Sequence, residues 1–201
     1  MLEIYIYDMK KLDDKKEYEY RLSQASVYRR TRAQNGRDIE NIASAAVLDD
    51  AFSAHGFREK EAEFIYGQYG KPYIKGNKIF FNLSHSGEYA VCAVSDREVG
   101  IDIQQKGALK MKVARRFFTE NECGYILRQP DSEKAADMFY RLWSLKESFV
   151  KAVGMGINLP FGSFEIIPEK KAGVIHNIND KNYEFTERDI DNYKLAVCVA
   201  C

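Results

Sequence analysis

The stretch FYRLWSLKESFVKAVGMG, residues 139 to 156, constrains the fold more than any other. At about 100° per residue it forms a helix with a wide apolar face of Phe139, Leu142, Trp143, Leu145, Phe149, Val150 and Val153. That face has to be covered by another layer, and Gly154 marks where the helix stops. Lys146 projects into the middle of the face, between Leu142 and Val150, where an ammonium group is costly unless an anion meets it. Glu147 and Lys151 follow along one edge, one turn apart. Any fold for this chain must supply a partner for a lysine at the centre of a packed helix face.

The rest of the chain alternates between short strands and helices. LEIYIYD reads as a strand, and DIENIASAAVLDDAFSAHG as a helix with Asp38 as N-cap and Gly56 as stop. EFIYGQYGKPYI is strand-like but broken by Gly70 and Pro72, KGNK is a turn, and IFFNLSHSGEYAVCAVS reads as two strands around a Ser-His-Ser-Gly turn. REVGIDIQQ is a further strand. KMKVARRFF is helical, and Thr119 and Glu122 in TENE have capping-box spacing. After the long helix, SFEIIPE, AGVIHNI, NYEFTE and NYKLAVCVAC are strands. Helices and short strands in both halves predict an α+β fold. GEYAVCAVS and DNYKLAVCVA echo each other, which suggests a duplicated half, with QQKGALK as the joint: residues 1–104 as an N-terminal unit and 105–201 as a C-terminal one.

Composition excludes several classes. Lys plus Arg and Asp plus Glu are each 30 of 201 residues, so there is no global field for nucleic acid or an acidic membrane, and an anionic ligand needs local clusters. No apolar run is long enough to span a bilayer and the N-terminus lacks a signal-peptide layout, which predicts a cytoplasmic protein with no membrane partner. Cys92, Cys123, Cys198 and Cys201 read as small apolar residues in a reducing compartment.

Asp102 sits in the apolar strand VGIDI, as a strand-end cap or a metal ligand, and Gln104 projects to the same side. Glu147 forms either an i,i+4 ion pair with Lys151 or part of a site in which a phosphate and a magnesium ion satisfy the lysines and both acids. His85 lies among Ser84, Ser86 and Gly87, small donors suited to a phosphate oxygen. Lys71 sits on a Gly-Pro loop, and in the polar stretch that carries Arg21, Arg29, Arg30, Arg32 and Arg37 the arginines at 29, 30 and 32 would by default be a solvated face.

Taken in order, YGKP, FNLSHSGEYAVCAV, VGIDIQ, RRFFTENE and FYRLWSLKESFVKAVGMGI resemble the larger, surfactin-synthetase-activating (Sfp-type) 4'-phosphopantetheinyl transferases across residues 69 to 157. The resemblance implies two similar α+β halves forming a pseudo-dimer within a monomer, with the active site at their joint. It implies transfer of the phosphopantetheine arm of coenzyme A to a serine of an apo acyl or peptidyl carrier protein, with Mg²⁺ as cofactor and no nucleic acid. Asp102 and Glu147 would hold the metal with Gln104 beside them, where such proteins often carry a second acid. Lys151 would contact the diphosphate. Lys146 would support the same site from the interdomain cleft. Lys71, Ser84 and His85 would hold the nucleotide end, His85 at its ribose phosphate, and Arg29 and Arg30 are assigned there by position and charge. The same groups would also suit a metal-dependent diphosphate hydrolase, or a degenerate protein that binds coenzyme A or a carrier without turnover.

Overall fold

The structure, a computed structural model, describes residues 1–26, 29, 30, 38–76 and 79–201. Arg32, Arg37 and the end of the KGNK turn lie outside the described residues. The chain forms the expected α+β fold as one pattern run twice. In the first pass, strand β1 (Leu2–Asp8) leads to helices α1 (Lys15–Gln24) and α2 (Ile39–Ala54), a small hairpin β2 (Phe64–Tyr66) and β3 (Pro72–Ile74), and a long hairpin β4 (Phe80–Ser86) and β5 (Tyr89–Ser95). The second pass starts with β6 (Val99–Gln105) and helices α3 (Met111–Phe117), α4 (Glu120–Leu127) and α5 (Ser132–Val153). It continues with the small hairpin β7 (Glu165–Ile167) and β8 (Gly173–Ile175), then the long hairpin β9 (Tyr183–Ile190) and β10 (Tyr193–Ala200). The main sheets have matching orders, β1-β5-β4 and β6-β10-β9, all antiparallel.

The sequence echo has a physical basis. The AVC of β5 (Ala90, Val91, Cys92) and the AVC of β10 (Ala196, Val197, Cys198) occupy equivalent central strands, both buried on two faces. Ala90 and Cys92 pack in the core with α2, and Ala196 and Cys198 in the core with α5. Val91 and Ala93 meet Leu195, Val197 and the β6 residues Ile101 and Ile103 in a third cluster between the sheets. Alternation of period two therefore feeds a helix layer on one side and the opposite sheet on the other. β6 pairs with β10, so in the sheets it sits with the strands of the second pass.

A ladder made by side chains joins the halves. The β6 edge facing β4 presents backbone N–H groups, and alternate residues of β4 accept from them: Asn82 Oδ1 from Ile101 N at 2.9 Å, Ser84 Oγ from Ile103 N at 3.4 Å and Ser86 Oγ from Gln105 N at 3.0 Å. These short polar side chains satisfy an edge that would otherwise be buried unpaired. They also keep β4 extended through Ser86. His85 therefore lies on a strand, opposite Ala90, and the turn is at Gly87 and Glu88, with Gly87 at φ +55°.

Helix α5 begins at the Asp131 N-cap and ends at Gly154, φ +81°. It lies against β6 so closely that a side chain at Gly100 would sit 2.8 Å from the Lys151 carbonyl carbon and closer still to Ser148 O and Ala152 N. Among the described residues no helix is long and apolar enough to cross a membrane. Gly100→Ala forces backbone against backbone. We expect a loss of about 3 kcal/mol, or a Tm lower by about 6–12 °C, in a thermal melt.

Candidate active site

The close approach at Gly100 also orients the next residues of β6. Ile101 and Ile103 point between the sheets, so Gly100, Asp102 and Gln104 share the face turned to α5. Asp102 is 2% exposed, and both its oxygens are engaged. Oδ1 accepts from Lys151 Nζ at 2.6 Å and from Ser84 Oγ at 2.9 Å, while Oδ2 accepts from Gln104 Nε2 at 2.8 Å. Lys151 also donates to Ser84 Oγ at 3.0 Å and to Ile101 O at 3.1 Å. Lys151 therefore pairs with Asp102 across the helix–strand contact, not with Glu147 along the helix. Ser84 reaches in from β4, so the cluster draws on both halves.

Glu147 is half-buried, and among the described residues its carboxylate has no hydrogen-bond or ion-pair partner. Its pKa is raised, first by burial and then by the neighbouring Asp102 charge, with Lys151 partly opposing. Asp102 and Glu147 offer carboxylate oxygens, hard donors of the kind that suits Mg²⁺, an ion that keeps several waters of its own. The unpaired Glu147, facing a second acid, fits a divalent cation. No group of three or more His, Cys, Asp or Glu side chains is gathered for a metal among the described residues. In this arrangement Gln104 serves Asp102 as an amide donor.

Two predicted ligand lysines point elsewhere. Lys146 is fully buried in the C-terminal core, where Nζ donates to Glu122 Oε1 at 2.6 Å, Glu122 Oε2 at 2.8 Å and Phe164 O at 3.1 Å. It lies 4.2 Å from the centre of the Phe164 ring. Lys146 faces this dry core, not the interdomain cleft, because Glu122, the capping-box acid of α4, supplies the anion that the helix face demands. Burial alone pushes the Lys146 pKa down, and Glu122 opposes the shift. Lys71 is also buried. Its three protons go to Glu98 Oε2 at 2.9 Å, Val99 O at 3.0 Å and Ala152 O at 3.0 Å, so none is left for a nucleotide.

His85 and Arg29 come together at a second place. They line a pocket of about 210 Å³ at the start of α2 with Asp38, Glu40, Asn41 and Ser44. Asp38 caps α2 by accepting from Asn41 N, and Arg29 holds the corner by donating to Asn41 O at 3.3 Å and Asn41 Oδ1 at 3.2 Å. A helix N-terminus, a guanidinium and an imidazole meet there, beside the acids Asp38 and Glu40, and Arg29 Nε also donates to the buried Glu59 at 3.2 Å. His85 is exposed, with Nδ1 3.8 Å from Glu40. Arg30, next to Arg29 in sequence, is exposed. Ser84 belongs to the Asp102 cluster and not to this pocket.

Sequence patterning does not reveal the groove on the other side of the cluster. About 780 Å³ in volume, it opens beside Glu147 and Lys151, with Phe117, Trp143, Ile157 and Phe161 in its walls and Arg116 on its rim. Ile157 is wholly exposed and Phe117 38% exposed. The one available signal is an unbalanced one: RRFF and GMGI carry more large apolar residues than a short helix and a turn can bury.

The family model described as the 4'-phosphopantetheinyl transferase superfamily matches residues 98–198. A 4'-phosphopantetheinyl transferase of Bacillus subtilis is 38% identical over 164 residues, covering 79% of this chain and 72% of that protein. The 4'-phosphopantetheinyl transferase Sfp of Bacillus subtilis (strain 168) is 36% identical over 146 residues, covering 71% of this chain and 65% of its own. The crystal structure of Thermotoga maritima holo-(acyl-carrier-protein) synthase superposes with a TM-score of 0.45 at 23% identity, over 51% of this chain and 62% of that one.

A carboxyl group whose pKa is raised in the folded state costs stability once it ionises there. The stability tied to its proton is full below the unfolded pKa and is lost as pH rises through the folded value. Glu147→Gln removes that cost. Thermal melts should show the variant more stable than the parent at pH 7 and equal to it near pH 4. A variant less stable at pH 7 would mean that Glu147 has a stabilising partner.

Proposed function

The chain belongs to the 4'-phosphopantetheinyl transferase superfamily, and from that premise we propose that it transfers the phosphopantetheine arm of coenzyme A to a serine of an apo carrier protein. The observation that carries this reading is the Lys151–Asp102 pair with Glu147 beside it, where Lys151 and Glu147 line an open apolar groove and Ser84, bonded to Asp102, is followed by His85 of the small pocket at the start of α2. Coenzyme A offers a matching length of chemistry: a ribose phosphate for the Arg29–His85 pocket, a diphosphate for Lys151, and a pantetheine arm for the groove side. The basic rim of α3, with Lys112, Arg115 and Arg116 exposed beside the apolar groove, suits a carrier with acidic and apolar surface around its serine.

Mg²⁺, held by Asp102 and Glu147 with Gln104 alongside, would neutralise diphosphate charge when bound. In the transfer, the serine hydroxyl oxygen bonds to the phosphorus that bears the arm. The bond from that phosphorus to the bridging oxygen breaks, and adenosine 3',5'-bisphosphate leaves with the electron pair. Glu147, directly or through a water, takes the serine proton. The Lys151 ammonium offsets charge on the phosphoryl and leaving oxygens. Ser84 and Gln104 hold Asp102 from its two oxygens. One chain supplies both halves of the site, so the reading is of a cytoplasmic enzyme active as a monomer.

The test is the intact mass of an apo carrier after incubation with this protein, coenzyme A and Mg²⁺. The reading requires a gain of one phosphopantetheine arm; free phosphopantetheine with an unchanged carrier would mean a hydrolase, and coenzyme A binding without turnover would mean a binding protein. His85→Ala should weaken coenzyme A about tenfold and dephospho-coenzyme A less than twofold in a binding titration, since one charge-assisted contact is lost. Equal weakening of both would remove His85 from the ribose phosphate.

A further inference from the structure

Lys71 is buried and fully bonded, yet it contacts no acid of the site. Its ammonium joins three separated segments: the loop leading into β3, the start of β6 through Val99 O and Glu98, and the last turn of α5 through Ala152 O. The last carbonyls of a helix lack intrahelical donors and carry its negative end, so an ammonium placed there satisfies an orphan acceptor and complements the dipole. Val150 O is closed by the Gly154 N–H, and Lys71 closes Ala152 O. Glu98 balances the charge on Lys71 and accepts from Tyr73 Oη at 3.3 Å, tying the anchor to β3 as well. Gly154 leaves room for the arm: a side chain there would come within 3.0 Å of Lys71 Cδ.

Ala152 directly follows Lys151, and Val99 directly precedes Gly100. The bridge that Lys71 makes between their carbonyls therefore lies one residue from the helix–strand contact that brings Lys151 to Asp102. We propose that Lys71 is a positioning residue for the transfer: it clamps the last turn of α5 to the start of β6, and so holds Lys151 on Asp102. The role rests on the proposed function for its catalytic meaning, but the clamp itself is a property of the fold.

Two measurements on Lys71→Met, which keeps length and removes the donors, test this. The first is amide hydrogen exchange over residues 148–154. The clamp requires faster exchange there than in the parent, with the N-terminal turns of α5 unchanged, and it needs no activity. The second is a cycle of coenzyme A affinities by calorimetry for parent, Lys71→Met, Lys151→Met and the double variant. Acting through Lys151, Lys71→Met should weaken coenzyme A about tenfold in the parent and less than twofold in the Lys151→Met background. A tenfold loss in both backgrounds would make Lys71 a direct ligand and overturn the proposal, as would unchanged exchange at 148–154. Glu98→Gln, which keeps shape and weakens the anchor, should show the same exchange pattern in milder form, and it stands in if Lys71→Met does not fold. If the parent transfers no arm, the functional reading fails while the exchange result still decides the clamp.

Discussion

The approach of α5 to β6 at Gly100 is the contact on which the rest depends. Lys151 reaches Asp102 only because helix and strand backbones meet there without a side chain between them. That meeting also fixes which face of β6 serves the site. With Gly100 under the helix, Asp102 and Gln104 share its side, and Ile101 and Ile103 are left to fill the layer between the sheets. One glycine thus links packing to chemistry. The side-chain ladder from Asn82, Ser84 and Ser86 then fixes the second half against the same strand, and brings a hydroxyl from the first half to the carboxylate.

Three lysines illustrate how burial sorts equal charges into unequal roles. Lys146 has a carboxylate and a carbonyl in a dry core, and ties α5 to α4 and to Phe164. Glu122 is shared further, accepting from the Thr119 and Ile166 N–H groups, so its charge is held from several sides. Removing one member of such a pair would strand the other, which makes it a structural unit whatever its net stabilisation. Lys71 has two backbone carbonyls and one acid, and holds a helix end. Lys151 is the most exposed of the three and alone faces the cluster of acids.

Much of this was legible in residue patterns. Apart from α1, a polar helix over Lys15–Gln24 that no apolar periodicity announces, the strand and helix order, the Asp38 and Thr119 caps, the Gly154 stop and the AVC echo of β5 and β10 follow from local rules that tertiary context leaves intact. Asp102, Glu147 and Lys151 stand out as candidates in the sequence, and the structure pairs Lys151 with Asp102. What patterns hide is partner choice. The capping box displays Glu122 openly, but its second role as the partner of Lys146 spans 24 residues and depends on how α4 packs on α5. The Lys71 anchor on Ala152 spans 81 residues. His85 looks like a turn residue until the β6 edge, which needs the hydroxyls of Ser84 and Ser86, draws β4 through it. The pairing of β6 is hidden for a similar reason: it follows β5 in sequence but bonds to β10 in space.

The central claim is that Asp102 on β6 and Glu147 on α5 form one metal site across the helix–strand contact. Mn²⁺ in place of Mg²⁺, titrated into parent, Asp102→Asn and Glu147→Gln and followed by electron paramagnetic resonance, tests it most directly. With only two protein carboxylates available, each substitution should weaken Mn²⁺ by about tenfold or more. If either variant binds Mn²⁺ as the parent does, the two acids do not share an ion, and the site as built from this contact is wrong.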